Sequence, residues 1–449
     1  MSVTVPKSPG EWHLRVWSLS WPMILANLTL PLVGVVDTAV MGRQPDATYV
    51  GAVALGSTIF NAIYWMYGFL RMSSTGLTAQ ALGAGKIDEL AAIAIRAFCA
   101  AAALGVMLIF LQWPIRSFMF WLFEASEAVE SQAAGYFDIR VWSTPAVLIY
   151  IVAIGVLFGL QRMGAALLVS VVFNGTNIVL DLWFVLGLGW GVNGVAAGTL
   201  ISEWLAAGLS LVMTYRALRR SGWQGGRPPD LWNRARLAGL TNVSTNLIVR
   251  TFFVQLPFFM LTALSAWLGD LVLAANAVLM QFFHIMAYGL DGFAHTTETL
   301  TGHAFGANDP RRLRRSAIYC SIWAGLIAGM LSLVYLIWGT DLVAMLTLLP
   351  EVRAVAAEYL PWIAAAPLVA VWAFMLDGVF IGTTRTRELR NSMFVAAIVY
   401  LLAVWLSLEP LRNHGIWLSM TIFMAMRSVL LGALYPRIER LAAARAGGM

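Results

Sequence analysis

Charge is what this chain has least of. Only 12% of its 449 residues are Asp, Glu, Lys or Arg, against 60% apolar, and the mean hydropathy is +0.76. A water-soluble domain cannot hide that much apolar surface. Cysteine is nearly absent as well. Cys99 and Cys320 show no metal-ligand or redox spacing, reveal nothing about compartment, and read as small core residues of apolar helices. No HExxH, GxSxG or cysteine-histidine cluster occurs, so neither an intramembrane enzyme nor a metal site is expected, and no other cofactor is implied. There is no P-loop, which argues against direct ATP drive. The formal charge of +6 does not point to nucleic acid, because the basic residues recur in short clusters between apolar segments.

What the chain does have is long apolar runs. Taking about 20 apolar residues as one crossing, spans fall near 17–41, 48–72, 92–112, 138–160, 164–186, 194–217, 241–266, 271–300, 316–338, 356–382, 391–408 and 415–435. The first is too long for a signal-peptide core and is expected to be retained. Twelve crossings put both termini on one side. With the N-terminus inside, 20 Lys and Arg residues lie in inner segments and only Arg43, Arg116, Arg353 and Arg412 in outer loops. That bias predicts cytoplasmic termini.

The chain also repeats itself at an offset of 223. Thr78-Ala-Gln-Ala-Leu-Gly83 aligns with Thr301-Gly-His-Ala-Phe-Gly306, Tyr136 with Tyr359, Gly155 with Gly378, and Phe158-Gly-Leu-Gln-Arg162 with Ile381-Gly-Thr-Thr-Arg385. Six helices separate the copies, so they share an orientation and are related by a pseudo-twofold axis along the membrane normal. The expected organisation is a cytoplasmic N-terminal segment (1–15), an N-lobe of six helices (16–218), a basic Gly/Pro-rich cytoplasmic linker (219–236) suited to two moving bundles, a C-lobe of six helices (237–436) and a cytoplasmic tail (437–449). The fold class is all-α integral membrane.

Within the first apolar run stands Asp37. A carboxylate at bilayer depth is costly and reads by default as part of an ion or substrate pathway. Pro31 removes a helix hydrogen bond and Gly34 is a weak helix former, so this helix can bend near the acid. Asn174, Asn177 and Asp181 are spaced i, i+3, i+7 on one face of the fifth helix, and Thr199 and Glu203 are i, i+4 neighbours on the sixth. Asp37 and Asp181 lie four and five residues from the outer ends of their helices, about 6 to 8 Å deep by helical rise, and can meet at one level. Two carboxylates in one low-dielectric pocket cannot both ionise cheaply and titrate as a unit. The same residues could instead serve only as interhelical hydrogen-bonding groups.

These stretches carry a resemblance. Pro31-Leu-Val-Gly-Val-Val-Asp-Thr-Ala-Val-Met-Gly42, Phe69-Leu-Arg-Met-Ser-Ser-Thr-Gly-Leu-Thr-Ala-Gln80, Asn174-Gly-Thr-Asn-Ile-Val-Leu-Asp181, Ala287-Tyr-Gly-Leu-Asp-Gly-Phe-Ala294, and Leu376-Asp-Gly-Val-Phe-Ile-Gly382 with Arg390-Asn-Ser-Met393 resemble the multidrug and toxic compound extrusion (MATE) transporters, DinF branch. The resemblance covers essentially the whole chain. It implies a two-lobed antiporter that exports amphipathic, mostly cationic compounds by alternating access. Protons would drive it, with Asp37 and Asp181 as the coupling acids, Asn177 and Thr199 as their polar company, and bending of the first helix on protonation.

In the second half Asp291, Glu298 and Asp377 lie in apolar surroundings. They read either as partners of Arg71, Arg250 or Arg427 or as a cation site. Sodium-coupled relatives place acids on the seventh and tenth helices; Asp377 matches the tenth, but the seventh carries Arg250 and no acid. Sodium is therefore disfavoured there without being excluded from the N-lobe cluster. His284, His295 and His303 share the eighth helix without a matching ligand set for a metal. Twenty methionines and nineteen tryptophans suit a promiscuous pocket for organic cations, with Met66, Tyr67, Met286, Tyr288 and Trp372 on the candidate cleft helices. The expected partners are small organic cations, protons and membrane lipids, with no nucleic acid, and the chain acting as a monomer. The alternatives are a sodium-coupled antiporter and a lipid-intermediate flippase of the same superfamily, which would line its cleft with basic residues for pyrophosphate.

Overall fold

The computed structural model describes residues 6–43, 47–123 and 125–447, with side chains given for these except residues 30–32 and 47. Among them there is no strand. Twelve helices are long and apolar enough to cross a membrane: α1 Pro9–Met41, α2 Thr48–Gly83, α3 Ile87–Phe110, α4 Glu127–Gly159, α5 Met163–Gly187, α6 Gly191–Arg220, α7 Arg234–Leu268, α8 Asp270–Gly306, α9 Pro310–Leu346, α10 Pro350–Gly382, α11 Thr386–Leu411 and α12 Asn413–Gly447. Each overlaps one of the expected spans, and most extend beyond it. A hydropathy window finds only the apolar part, and a helix continues until a breaker or cap stops it.

The stops are legible and repeat. α9 begins at Asp309, whose carboxylate accepts the Arg312 backbone N–H at 2.9 Å, with Pro310 in the first turn. The turn after α4 places Gln161 at φ +58° and the turn after α10 places Thr384 at φ +52°. Likewise Gly85 after α2 and Asn308 after α8 adopt φ +66° and +54°. Both pairs are 223 residues apart, so the repeat extends to the left-handed residues that reverse the chain.

The chain divides into two compact units. One comprises Leu25–Leu82 and Lys86–Leu237; the other comprises Val3–Ile24, Gly83–Gly85 and Ala238–Met449. α1 contributes its two halves to different units, whereas the sequence placed residues 16–24 in the N-lobe. In the first unit α2 packs on α4, α3 on α4, α4 on α6 and α5 on α6; in the second, α8 packs on α10, α9 on α10, α10 on α12 and α11 on α12. These four pairings match with every helix advanced by six, and in the second unit α8 packs on α9 as well.

Small residues make these approaches possible. A Cβ on Gly155 of α4 would lie 2.5 Å from the Arg71 carbonyl oxygen, and one on Gly378 of α10 would lie 2.6 Å from that of Ala294. One turn further, Gly159 faces Thr78 and the Thr75 carbonyl, and Gly382 faces Thr301 and the Glu298 carbonyl. Each set maps onto the other at the offset of 223. Close backbone approach through small residues is the usual device of helix packing in apolar surroundings.

Three sequence expectations need revision. α2 is interrupted at Tyr67 between helical segments Ala47–Met66 and Gly68–Gly83, so the second span does not end near residue 72. The stretch after α3, expected as an outer loop, holds a helix Gln112–Phe123 with no buried residue, its Arg116 bonded to Asp138 at 2.7 Å. Cys320 is buried, but Cys99 lies on an exposed face of α3. On a helix apolar all round, hydropathy does not separate the packed face from the outward one.

The linker is also more fastened than its composition suggests. Arg96 of α3 donates from Nε to the Leu231 carbonyl at 2.6 Å and from Nη2 to that of Asp230 at 3.1 Å. Glu89 accepts from Arg96 at 3.1 Å and also pairs with Arg236. A buried guanidinium satisfying backbone carbonyls anchors residues 230–236 to the first unit.

Candidate functional site

The polar interior of the first unit gathers around Asp37 and Asp181. Asn174, Asn177 and Asp181 are all buried, as one α5 face at i, i+3, i+7 requires. Asp181 ends the regular α-helix; residues Leu182–Gly187 continue as a π-helical turn. Such turns occur mostly as local defects and are frequent at functional sites. α6 accommodates Asp181 only because residue 198 is glycine, since a Cβ there would overlap Asp181 Oδ1. Asp37 is half-buried and lines a cavity of about 130 Å³ with Gly34, Thr38 and Met41 of α1 and Val50, Val53, Ala54 and Ser57 of α2.

The two carboxyls lie within hydrogen-bonding reach of each other. Among the described residues no donor reaches Asp37 Oδ1 or either oxygen of Asp181, which is 0% exposed. Carboxylates only accept hydrogen bonds, so a bond between these two requires a proton on one of them. The geometry therefore has a place for a proton.

The neighbouring amides do not supply donors to the pair. Asn177 Nδ2 donates to Thr199 Oγ1 at 3.2 Å, and Thr199 donates in turn to the Val195 carbonyl at 2.9 Å. Asn174 Nδ2 donates to Thr29 Oγ1 of α1 at 2.6 Å. These bonds tie α5 to α1 and α6 within two turns on the N-terminal side of the acid. Glu203 is engaged elsewhere, accepting from Arg140 Nη2 at 3.1 Å.

On α1, Pro31 falls in the helix, but its side chain lies outside the described residues. The helix is unbroken through Gly34, where a side chain would meet open space. The Thr38 hydroxyl donates to the Gly34 carbonyl at 2.8 Å, a back-bond of the kind that bends helices.

The second unit holds a different arrangement. Asp377 accepts from Arg250 Nη2 and, at 2.6 Å, from Arg427 Nη2, all three side chains being buried. Arg427 also lies over the Phe423 ring, 5.6 Å from its centroid, and Asp291 is within electrostatic range of it. Asp377 is thus engaged by two arginines inside one unit, the ion-pair alternative of the two readings for this acid. Glu298 is buried, with His295 Nδ1 3.7 Å away; His303 is buried and His284 is exposed. Of the cleft candidates, Met66 and Trp372 are exposed, Tyr67 and Tyr288 half-buried, and Met286 fully enclosed as a packing residue.

The MatE family model matches residues 22–183 and again 247–408, once in each half of the chain. The chain belongs to the MatE family. It is 39% identical over 422 residues to DNA damage-inducible protein F of Escherichia coli strain K12, covering 94% of this chain and 92% of that one. It is 23% identical to the chloroplastic Protein DETOXIFICATION 44 of Arabidopsis thaliana, over 94% and 81% of the two chains. Its fold matches a crystal structure of MATE in the bent conformation (TM-score 0.83, 20% identity, 98% and 100% coverage). It also matches a MOP superfamily transporter from Pyrococcus furiosus Vc1 (TM-score 0.85, 18% identity, 97% and 97% coverage). The chain is accordingly a MATE-family transporter and an integral membrane protein.

Sequence reasoning named the acids but missed what surrounds them. Arg140, Ser57 and Gly198 were not singled out, and Tyr136 was noted only as a residue of the repeat. Arg140 carried a signal, since a cation well inside an apolar helix needs a partner; Gly198 carried none, because a glycine's necessity is visible only once its neighbour is known.

Replacing Gly198 by alanine is expected to push the Asp181 carboxyl aside and impair transport more than folding. The check is to compare efflux rate with melting temperature in the purified variant: a transport loss at least as large as that of Asp181→Asn, with a melt within a few degrees of wild type. An unaltered efflux rate would refute the packing role.

Proposed function

We propose that this MatE transporter is a proton-coupled multidrug antiporter that exports small amphipathic organic cations from the cytoplasm across the bacterial inner membrane. Both termini would face the cytoplasm, in keeping with the distribution of Lys and Arg between the two sets of loops. The observation that carries the reading is the Asp37–Asp181 pair, one half-buried and one fully buried carboxyl in mutual reach with no donor on three of their four oxygens. A proton arriving from outside converts a repelling pair into a hydrogen-bonded one. Its departure towards the cytoplasm restores the charge, and the alternation biases α1, whose backbone is softened at Gly34 and Thr38. Sodium is the alternative coupling ion, and the two are separated by imposing their gradients one at a time.

The test is ethidium efflux from reconstituted vesicles under separately imposed proton and sodium gradients. A proton gradient alone should drive efflux at the full rate. Efflux that follows sodium alone would overturn the coupling assignment while leaving the family membership intact.

A further inference from the structure

Beside the acid pair, a second buried charge cluster has no role in the mechanism above. Arg140 of α4 and Glu203 of α6 form an ion pair in the interior of the first unit, with side chains 10% and 3% exposed. A structural salt bridge at this depth gives little net stability, because the desolvation of both ions offsets their attraction. The guanidinium is nevertheless held from several sides. It lies 4.9 Å from the centroid of Phe60, 5.8 Å from that of Tyr64 and 5.6 Å from that of Tyr136. Its Nη1 donates to the Tyr136 hydroxyl at 2.8 Å.

That hydroxyl leads back to the acids. Tyr136 Oη is 3.1 Å from Ser57 Oγ, and Ser57 lines the cavity that holds Asp37. A continuous polar chain therefore runs from the Asp37 cavity through Ser57, Tyr136 and Arg140 to Glu203. Gly56 allows it: a Cβ on that residue would collide with the Tyr136 ring. Arg140 Nε has no hydrogen-bond partner among the described residues, and the Ser143 side chain faces Glu203 beside Arg140. The charged and titratable groups facing Arg140 are Asp37 on α1, Tyr64 on α2, Tyr136 on its own helix, Asp181 on α5 and Glu203 on α6.

We propose that Arg140 is the counter-ion that sets the proton affinity of the Asp37–Asp181 pair, and that Glu203 positions it and offsets part of its charge. This rests on the proton-coupled reading of the pair. Arg140 cannot release its own proton, so it acts as a fixed charge: it favours the deprotonated acids, while Glu203 opposes it. With Glu203 ionised, Arg140 charged and both acids protonated, the cluster is neutral. Each proton lost from the acids then adds one negative charge, which the guanidinium partly balances. Neither residue is asked to transfer a proton.

The experiment reads the acids directly. The infrared carboxylic-acid carbonyl band of the purified protein in vesicles is followed through a pH titration, with Asp37→Asn and Asp181→Asn assigning the signal. Arg140→Gln should move the midpoint up by about one pH unit, the scale of one nearby buried charge. Glu203→Gln should move it down, and Arg140→Lys should keep it near the wild-type value. Opposite shifts from the two members of one ion pair are not produced by a merely structural role. If Arg140→Gln does not fold, the downward shift of Glu203→Gln and the retained midpoint of Arg140→Lys carry the test. Midpoints that stay put, or that shift in the same direction for both neutralising variants, overturn the proposal. Failure of the coupling reading is seen separately, as a wild-type protein whose efflux ignores a proton gradient.

Discussion

Asp37→Asn and Asp181→Asn should each reduce proton-driven efflux to the background of empty vesicles while leaving a folded protein. The asparagine amide has nearly the shape of the carboxyl it replaces and can donate an N–H to the remaining acid, reproducing the hydrogen bond of the protonated pair. That substitution fixes one branch of the cycle and removes the other. The double variant should be no worse than either single one, because residues that act as a unit are not additive. The measurement is efflux from vesicles with an imposed pH gradient, beside a size-exclusion profile of each variant. Full proton-coupled efflux in Asp37→Asn would sink the assignment. Two partial losses that multiply in the double variant would show two independent acids instead of a coupled pair.

Gly382→Ala should lower the melting temperature by several degrees. Its Cβ would overlap the Glu298 backbone carbonyl and lie 2.8 Å from Thr301 Oγ1, and a backbone atom cannot rotate away as a side-chain tip can. Overpacking of this kind costs about 1 to 3 kcal/mol. Gly159→Ala, at the matching position of the first unit, should behave alike, its Cβ lying 2.6 Å from Thr78 Cβ. Gly325 of α9 is the control. A side chain there meets open space, so alanine should be neutral or slightly stabilising through its helix propensity. Thermal unfolding of the three variants in detergent separates the cases, and equal melts for Gly382→Ala and Gly325→Ala would refute the close-packing account.

The two predictions differ in how far they could be read without coordinates. Asp37 announces itself because a charge in a long apolar run has no cheap alternative. Asp181 follows from the heptad-like spacing of Asn174, Asn177 and Asp181, which any helix must place on one face. Gly382 could be placed in a repeat with Gly159, yet nothing in either motif says which carbonyl it faces. Glu203 shows the limit most clearly: the sequence put it on the same helix face as Thr199, but only the packing of α4 against α6 engages it with Arg140.

The sequence by itself determined the helix count, the duplicated construction, the membrane setting and the acids that stand out in it. Each of these depends on composition or on a period along the chain, and local physics fixes the period. The tertiary structure alone decided that Arg140 pairs with Glu203, that Arg250 and Arg427 both engage Asp377, and which glycines let two backbones touch. Those contacts join residues tens to more than a hundred positions apart. Their energies depend on distance and burial, quantities that have no counterpart along the chain.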